Sequence, residues 1–267
     1  MLRTPTGTLH DLDTLAPMSR SEDGTAWPLL LWVPGGSRRM ISSAPLGGGL
    51  GERHWVLNAQ VTPGYRRMDP AAHLSEIAAA LGATGPGVGL MTAASVRDRC
   101  GARDGGVRAL VTAGIGVHGW AAVAQSGSAD PAPAGTINIV VSVPVPLSDA
   151  ALVNAVATAT EAKVQALRDA GIDASGTPTD AVCVAAPRPG TGQRAEPFAG
   201  PRSLWGARIA RAVHHATHRA CLRALPHLDS SHVRTGPAER TPAPRARQDR
   251  GNAGAEGTSD RQMAGDG

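Results

Sequence analysis

Short apolar runs alternate with longer helical stretches through the middle of the chain. Seven of these runs are bounded by glycine, proline or polar residues, a pattern that is typical of β-strands. They cover residues 27–33, 39–43, 55–61, 89–96, 107–115, 136–143 and 180–186. Three stretches are predicted as helices from their caps and glycine stops, at residues 70–81, 149–170 and 202–222. The order of elements predicts an α+β (layered α/β) protein with a mixed sheet of about seven strands and three main helices.

The two ends of the chain lack this pattern. Residues 1–25 mix threonine, aspartate, proline and serine without periodicity, and residues 225–267 are rich in proline, arginine and glycine. Segments of this composition bury too little apolar surface to offset the entropy of ordering. We therefore expect disordered segments at 1–25 and 225–267, on either side of one domain at 26–224.

The second predicted helix has the clearest start and stop signals. Ser148 is a natural N-cap and Gly171 a natural C-terminal stop. With about 100° per residue, Thr160 and Lys163 fall within the apolar stripe, whereas Glu161 falls on the opposite side. Lys163 and Glu161 are therefore not expected to pair with each other, and each needs another partner.

Lys163 is the only lysine among 26 lysines and arginines. Guanidinium is planar and permanently charged, whereas an ammonium group is a compact point charge that can lose its proton when it is buried. A single lysine in an arginine-rich chain therefore indicates chemistry or tight placement at this position. The alternative is that the composition depletes lysine everywhere and that the stem of Lys163 only covers apolar surface.

The basic charge of the chain is local. The formal net charge is +4, and residues 201–222 contain four arginines and no acidic residue, which equals the whole excess. No recognised nucleic-acid motif or aromatic-rich basic surface accompanies these arginines, so a nucleic acid is not expected as a partner.

Several site types and locations lack their signatures. Cys100, Cys183 and Cys221 form no CxxC pair, which predicts reduced thiols in the core. Neither an HExxH zinc helix, a tight His/Cys cluster nor a GxSxG elbow occurs, so no metal site and no α/β-hydrolase triad are predicted. No run approaches the roughly 18 apolar residues of a membrane span, and the N-terminus does not have the pattern of a signal peptide. We expect a cytoplasmic protein.

Polar clusters lie at the ends of the predicted core elements. They are GTIN at 135–138, TEAK at 160–163, GTPTD at 176–180 and GPRSLWGAR at 200–208, preceded by SSAP at 42–45, VGLMTAA at 88–94 and VTAG at 111–114. Taken in order, these motifs resemble the adenosylcobinamide amidohydrolase family over roughly residues 27–222. Several separate motifs in sequence order are far more specific than one glycine fingerprint.

The resemblance implies hydrolysis of the amide that joins the corrinoid ring to its aminopropanol arm. The product would be adenosylcobyric acid, and the reaction would salvage incomplete corrinoids for cobalamin synthesis. The partner would be a small corrinoid whose cobalt belongs to the substrate, so no cofactor is expected. The oligomeric state is not predicted.

Amide hydrolysis needs an activated nucleophile, stabilisation of the oxyanion and a proton for the leaving amine. In a first mechanism, Glu161 or Asp180 is the general base for water. Lys163 and Asn138 then stabilise the oxyanion or orient the carbonyl group.

In a second mechanism, a hydroxyl group is the nucleophile and Lys163 is its base. The candidate hydroxyl groups are those of Thr160, Thr179 and Ser42.

Further residues, most of them in the motifs, are predicted to bind the substrate. Ser42, Asn58, Thr112 and Thr136 form one such group, and Arg202, Trp205 and Arg208 form another. The two arginines follow Gly-Pro at a helix start, which suits recognition of an anion or of polar amides of the corrinoid. The tryptophan between them is a candidate for stacking on the corrin or adenosyl group, or a packing anchor.

Two other functions fit part of the pattern. A corrinoid-binding or trafficking module of the same fold would bind the substrate without hydrolysing it. A nucleotide-handling transferase would account for the glycine runs, although no Walker motif supports it.

Overall fold

A computed structural model describes residues 11–122 and 135–225, and these residues form ten strands and three α-helices in one structural unit. The strands are β1 (Met18–Glu22), β2 (Thr25–Trp32), β3 (Arg38–Ser42), β4 (Gly49–Arg53), β5 (Val56–Gln60), β6 (Val88–Thr92), β7 (Cys100–Asp104), β8 (Val107–Gly114), β9 (Thr136–Ser142) and β10 (Ala181–Ala186). The helices are α1 (Pro70–Ala80), α2 (Asp149–Asp169) and α3 (Leu204–Ala224).

The strands form two sheets, each with one parallel pair. The first sheet has the order β1-β2-β5-β6, and the second has the order β4-β3-β10-β9-β8-β7. The parallel pairs are β5 with β6 and β9 with β10, and α1 and α2 provide the two crossovers. All other named pairs are antiparallel. Each sheet therefore contains one βαβ unit, and each unit brings the starts of its two strands to the same edge.

The sheets lie face to face between two helical layers. Along β9, Ile137 and Ile139 belong to the core beneath α2 and α3, whereas Val140 belongs to the core between the sheets. This alternation follows from the period of two in a strand. A third core lies between the four-stranded sheet and α1, where Leu57 and Leu74 are buried. The layer order is α1, four-stranded sheet, six-stranded sheet, then α2 with α3.

The predicted α+β class is confirmed, with two mixed sheets in place of one. All seven predicted strands and all three predicted helices are present, with bounds that differ by a few residues. The strands that were not predicted are β1, β4 and β7, which all lie at sheet edges. An edge strand is paired on one side only and is less buried, so its sequence need not carry an apolar pattern.

Residues 11–25 are ordered, contrary to the prediction for the N-terminal segment. Leu12 and Leu15 are buried in the core between the sheets, and Met18–Glu22 pairs with β2. The prediction of disorder over 1–25 is therefore wrong from residue 11 onward. Residues 1–10 lie outside the described residues, as does the predicted tail from residue 226.

Helix α2 keeps its predicted cap, and its buried face includes Lys163 but not Thr160. The Ser148 hydroxyl accepts a hydrogen bond from the Ala151 amide, and Lys163 is buried as predicted. Thr160, in contrast, is exposed and donates to the Val156 carbonyl, and Thr158 is buried in its place. Small alanines line the buried face because α2 packs closely against α3 and the sheet, whereas the prediction was centred on the larger valines.

The length and apolar character of the helices bear on whether the chain crosses a membrane. Within residues 11–122 and 135–225, none of the helices has the length and apolar character to cross a bilayer.

Candidate functional site

The starts of β9 and β10 define one edge of the six-stranded sheet, and four of the family-like motifs, at 111–114, 135–138, 160–163 and 176–180, converge there. Gly114, at the end of β8, pairs with Thr136 at the start of β9. Ala181, at the start of β10, pairs with Asn138. The C-terminal half of α2 returns to this edge and carries Lys163. The crossover connection therefore brings together segments that are far apart in the sequence.

Lys163 forms a buried ion pair with Asp180. Its Nζ lies 2.5 Å from Asp180 Oδ2, and the two side chains are 10% and 12% exposed. The other carboxylate oxygen, Oδ1, accepts from the Ile137 amide at 2.9 Å and from the Thr177 hydroxyl at 2.5 Å. The Thr177 amide adds a bond of 3.2 Å to Oδ2. Asp180 thus accepts four hydrogen bonds, which is the usual capacity of a carboxylate. The Lys163 ammonium group, in contrast, has two N–H donors besides the one that it gives to Asp180.

Gly176 lies directly against this ion pair. A Cβ atom at this position would overlap both Asp180 Oδ2 and Lys163 Nζ. The backbone therefore approaches the charged atoms as closely as glycine permits. The space around the pair is shaped for the slender chain of a lysine rather than for a guanidinium group.

Three threonines surround the carboxylate. The hydroxyl oxygens of Thr136 and Thr179 lie 2.6 Å apart. The Gly135 carbonyl accepts from the Thr179 hydroxyl at 2.9 Å. It also lies 2.9 Å from Thr177 Oγ1, and is thus a second possible acceptor for the one hydroxyl hydrogen that Thr177 gives to Asp180. Thr177 is the hydroxyl group that contacts Asp180, although the sequence predicted Thr179 for the catalytic set. Both lie in the GTPTD motif, and the turn geometry that selects between them is not visible in the sequence.

A second polar cluster lies between the two sheets. Asn58 Nδ2 donates to Thr112 Oγ1 at 3.0 Å, and Asn138 Nδ2 donates to Asn58 Oδ1 at 2.9 Å and to the Met91 carbonyl at 3.0 Å. Asn58, Thr112 and Asn138 are at most 5% exposed. Asn138 has used both amide hydrogens, so it has no donor left for an oxyanion. Its Oδ1 is buried without a partner among the described residues, which leaves Asn138 with an acceptor to offer.

A loop after β8, residues 115–121, borders the ion pair. Its Gly119 amide donates to the Gly176 carbonyl at 3.0 Å, and the Ser175 amide donates to the Gly119 carbonyl at 2.9 Å. The Ala121 amide donates to the Ser175 hydroxyl at 2.8 Å. These bonds fix the loop against the segment that carries Gly176.

Two other predicted site residues, Glu161 and Ser42, lie outside the cluster formed by Lys163, Asp180 and the three threonines. Glu161 is exposed and lines an open groove on the outer face of α2 with Gln165 and Arg168. Ser42 is buried, and its hydroxyl donates to the Val182 carbonyl and accepts from the Ala44 amide. Ser42 thus ties β3 to β10, and its hydroxyl has no basic partner among these bonds.

The group Arg202, Trp205 and Arg208 lies at the start of α3, and Arg202 is exposed there. Arg208 lies over one face of the Trp205 ring, 4.6 Å from its centroid, and donates to the Gly105 carbonyl. Gly105 precedes β8, whereas the ion pair lies beyond the other end of that strand. The eight residues of β8 span about 25 Å. The structure therefore does not bring this group to the ion pair.

Packing accounts for part of the motif at the start of α3. The Ser203 hydroxyl caps the helix by accepting from the Gly206 amide at 3.1 Å. A Cβ at Gly206 would overlap the carbonyl groups of Ala199 and Gly200. These residues fix the entry of the helix.

The three cysteines are free and buried, in agreement with the prediction of core thiols. Burial raises the pKa of Cys183 to about 12, and burial also raises the pKa of Cys221 to about 12. The thiolate is the reactive form of cysteine, so neither residue is a suitable nucleophile near neutral pH.

Comparison with known proteins agrees with this arrangement of motifs. A family model described as adenosylcobinamide amidohydrolase matches residues 14–227. A protein of Methanosarcina mazei named adenosylcobinamide amidohydrolase is 34% identical over 178 residues, which cover 64% of this chain and 84% of that protein. The region matched by the family model spans nearly all of the described residues. The chain is an amidohydrolase that belongs to the adenosylcobinamide amidohydrolase family.

Proposed function

We propose that this protein cleaves the amide between the corrinoid ring and the aminopropanol arm of adenosylcobinamide at the edge that carries Lys163 and Asp180. The products would be adenosylcobyric acid and free aminopropanol, which would return an incomplete corrinoid to cobalamin synthesis. The observation that carries the proposal is the buried ion pair, which lies where the motifs at 111–114, 135–138, 160–163 and 176–180 meet.

Lys163 is suited to stabilise the oxyanion. Attack on the amide carbonyl places negative charge on its oxygen, and preorganised donors in a site with little water lower the energy of that state. One N–H of the ammonium group is held by Asp180, which fixes the direction of the others. Asp180 would therefore position Lys163. It would receive a proton during the reaction when the Thr177 hydroxyl turns from Oδ1 to the Gly135 carbonyl, 2.9 Å away, and so frees a lone pair of Oδ1.

The nucleophile would be water. Its oxygen bonds to the carbonyl carbon, the carbon–nitrogen bond breaks, and the proton released by water passes through Asp180 to the amine nitrogen. Thr177 is the hydroxyl alternative, because its Oγ1 lies 2.5 Å from Asp180 Oδ1. Glu161 stays outside this scheme, since it is exposed on the outer face of α2.

Substitution of Thr177 separates the two nucleophiles. If water attacks, Thr177→Val should lower kcat by about 10-fold to 100-fold, because Asp180 loses a hydrogen bond worth about 1.5–3 kcal/mol. Thr177→Ser, the matched control, should stay close to the parent protein. Intact-protein mass spectrometry during turnover should show no covalent adduct. Complete loss in the valine variant, together with an acyl adduct on the parent protein, would instead identify Thr177 as the nucleophile.

A direct assay tests the function itself. The purified full chain is incubated with adenosylcobinamide, and the mixture is analysed by mass spectrometry for adenosylcobyric acid and aminopropanol. We expect both products to appear in equal amounts. Binding without product would favour a corrinoid-binding or trafficking module, and absence of both binding and product would contradict a corrinoid substrate.

A further inference from the structure

We propose that His118 Nε2 binds the cobalt of the corrinoid substrate as an axial ligand. The inference rests on the proposed function, because it requires a corrinoid at this edge of the sandwich. It gives the 115–121 loop a defined role, which is to hold the ring while Lys163 and Asp180 act on the arm.

The hydrogen bonding of His118 orients its imidazole for metal binding. Nδ1 lies 2.7 Å from the Ile115 carbonyl oxygen, and a carbonyl group can only accept. The hydrogen is therefore on Nδ1, and Nε2 keeps its lone pair. A metal-binding histidine commonly donates its other N–H to a backbone carbonyl, which fixes the tautomer and the direction of the ring. His118 is exposed, so an outside ligand can reach it.

The loop position places the backbone of His118 near the segment that carries Gly176. The adjacent Gly119 pairs with Gly176 in an isolated β-bridge, and Gly176 lies against Lys163 and Asp180. Paired residues in such a bridge have Cα atoms about 5 Å apart. A molecule bound to His118 is thereby held close to the segment that forms the catalytic cluster.

The surroundings of His118 suit a large flat ligand. A Cβ placed on Gly116 or on Gly119 would meet no heavy atom within 4 Å, so the loop has open space at both positions among the described residues. Trp120, two residues after His118, is 43% exposed and offers an aromatic surface. An exposed aromatic ring two residues from an oriented imidazole in the same loop fits a macrocycle that carries a metal at its centre.

The coordination step balances without any change of oxidation state. Cobalt in a corrin ring has two axial positions, and the adenosyl group occupies one of them in adenosylcobinamide. His118 Nε2 would donate its lone pair at the other position and displace a water molecule. Cobalt would then be fixed relative to the protein, which limits the positions that the aminopropanol arm can reach.

Electron paramagnetic resonance of the full chain with cob(II)inamide tests this contact. The unpaired electron of cob(II)inamide senses an axial nitrogen, so coordination by natural-abundance histidine should split the cobalt lines into triplets. Protein labelled with 15N-histidine should give doublets. His118→Gln should abolish the nitrogen splitting and weaken binding by on the order of tenfold. His215→Gln, which changes an exposed histidine on α3, is the matched control and should retain the splitting.

The outcomes distinguish this inference from the function on which it rests. Hydrolysis of adenosylcobinamide without nitrogen splitting, or splitting that persists in His118→Gln, would overturn the ligand assignment and leave the amidohydrolase proposal intact. Failure to bind cob(II)inamide and to hydrolyse adenosylcobinamide would overturn both. Splitting that follows the isotope and disappears only in His118→Gln would support the assignment.

Discussion

Lys163→Met should lower kcat for adenosylcobinamide by about 10²–10³-fold, because loss of one preorganised oxyanion donor has an effect of this size. Methionine keeps an unbranched chain of similar length, so the change removes the charge with little change in volume. Steady-state kinetics with mass-spectrometric detection of adenosylcobyric acid measures the effect. A kcat close to that of the parent protein would contradict the role of Lys163 in the reaction.

Stability measurements separate lost chemistry from lost folding. Lys163→Met leaves Asp180 buried without its counter-ion, which should lower the free energy of unfolding by about 3 kcal/mol. The double variant Lys163→Met/Asp180→Asn removes both charges and should recover much of that loss, as measured by urea denaturation. It should remain as inactive as the single variant. Recovery of activity together with stability would show that Lys163 serves only the fold.

Lys163→Arg tests whether charge alone is sufficient. Guanidinium is broader than ammonium, and the Gly176 backbone lies tightly against one side of the pair. We therefore expect the arginine variant to be nearly as inactive as the methionine variant. Full activity would mean that only a positive charge is needed, and that the single lysine is an accident of an arginine-rich composition.

Gly176→Ala should lower kcat almost as strongly as Lys163→Met, although it adds only one methyl group. That carbon would overlap the charged atoms of Lys163 and Asp180, so the ion pair must separate or the segment that carries Gly176 must move. Overpacking of this kind typically lowers the free energy of unfolding by about 1–3 kcal/mol. A shift of the segment that carries Gly176 would also disturb the bridge between Gly176 and Gly119. Gly119 lies in the 115–121 loop, which is proposed to hold the corrin ring.

The matched control for this change is Gly36→Ala. Gly36 has a negative φ and no heavy atom within 4 Å of a Cβ position, so alanine is accommodated there. Both variants are compared by kcat and by thermal denaturation. Equal activity of the two alanine variants would show that the close approach at Gly176 is unimportant for catalysis.

The sequence predicts the elements of this fold well because their signals are local. The N-cap at Ser148 and the burial of Lys163 both follow from residues within a few turns of α2. Pairing between strands is not local, which is why division into two sheets could not be predicted. Strands β1, β4 and β7 escaped prediction because they are largely unburied strands at sheet edges, so their sequences need no apolar periodicity.

In the candidate site, too, the sequence does not predict which atoms are bonded where this depends on a turn or on residues distant in sequence. Lys163, Asp180 and Thr179 were predicted near one another through their motifs, and the ion pair joins two of them. The choice of Thr177 as the partner of Asp180 depends on a turn. The direction of the amide group of Asn138 depends on Asn58 and Met91, which are distant in sequence.

The bonds that build the site join distant parts of the chain. Ile137 and Asp180 are 43 residues apart, and Asn58 and Asn138 are 80 apart. Closing such loops carries an entropic cost before the contacts stabilise the chain, and a high contact order slows folding. A fragment containing only β9, α2 and β10 would carry Lys163 and Asp180 but lack the opposite sheet. Such a fragment would therefore also lack the Asn58 side chain that accepts a hydrogen bond from Asn138 in the complete fold.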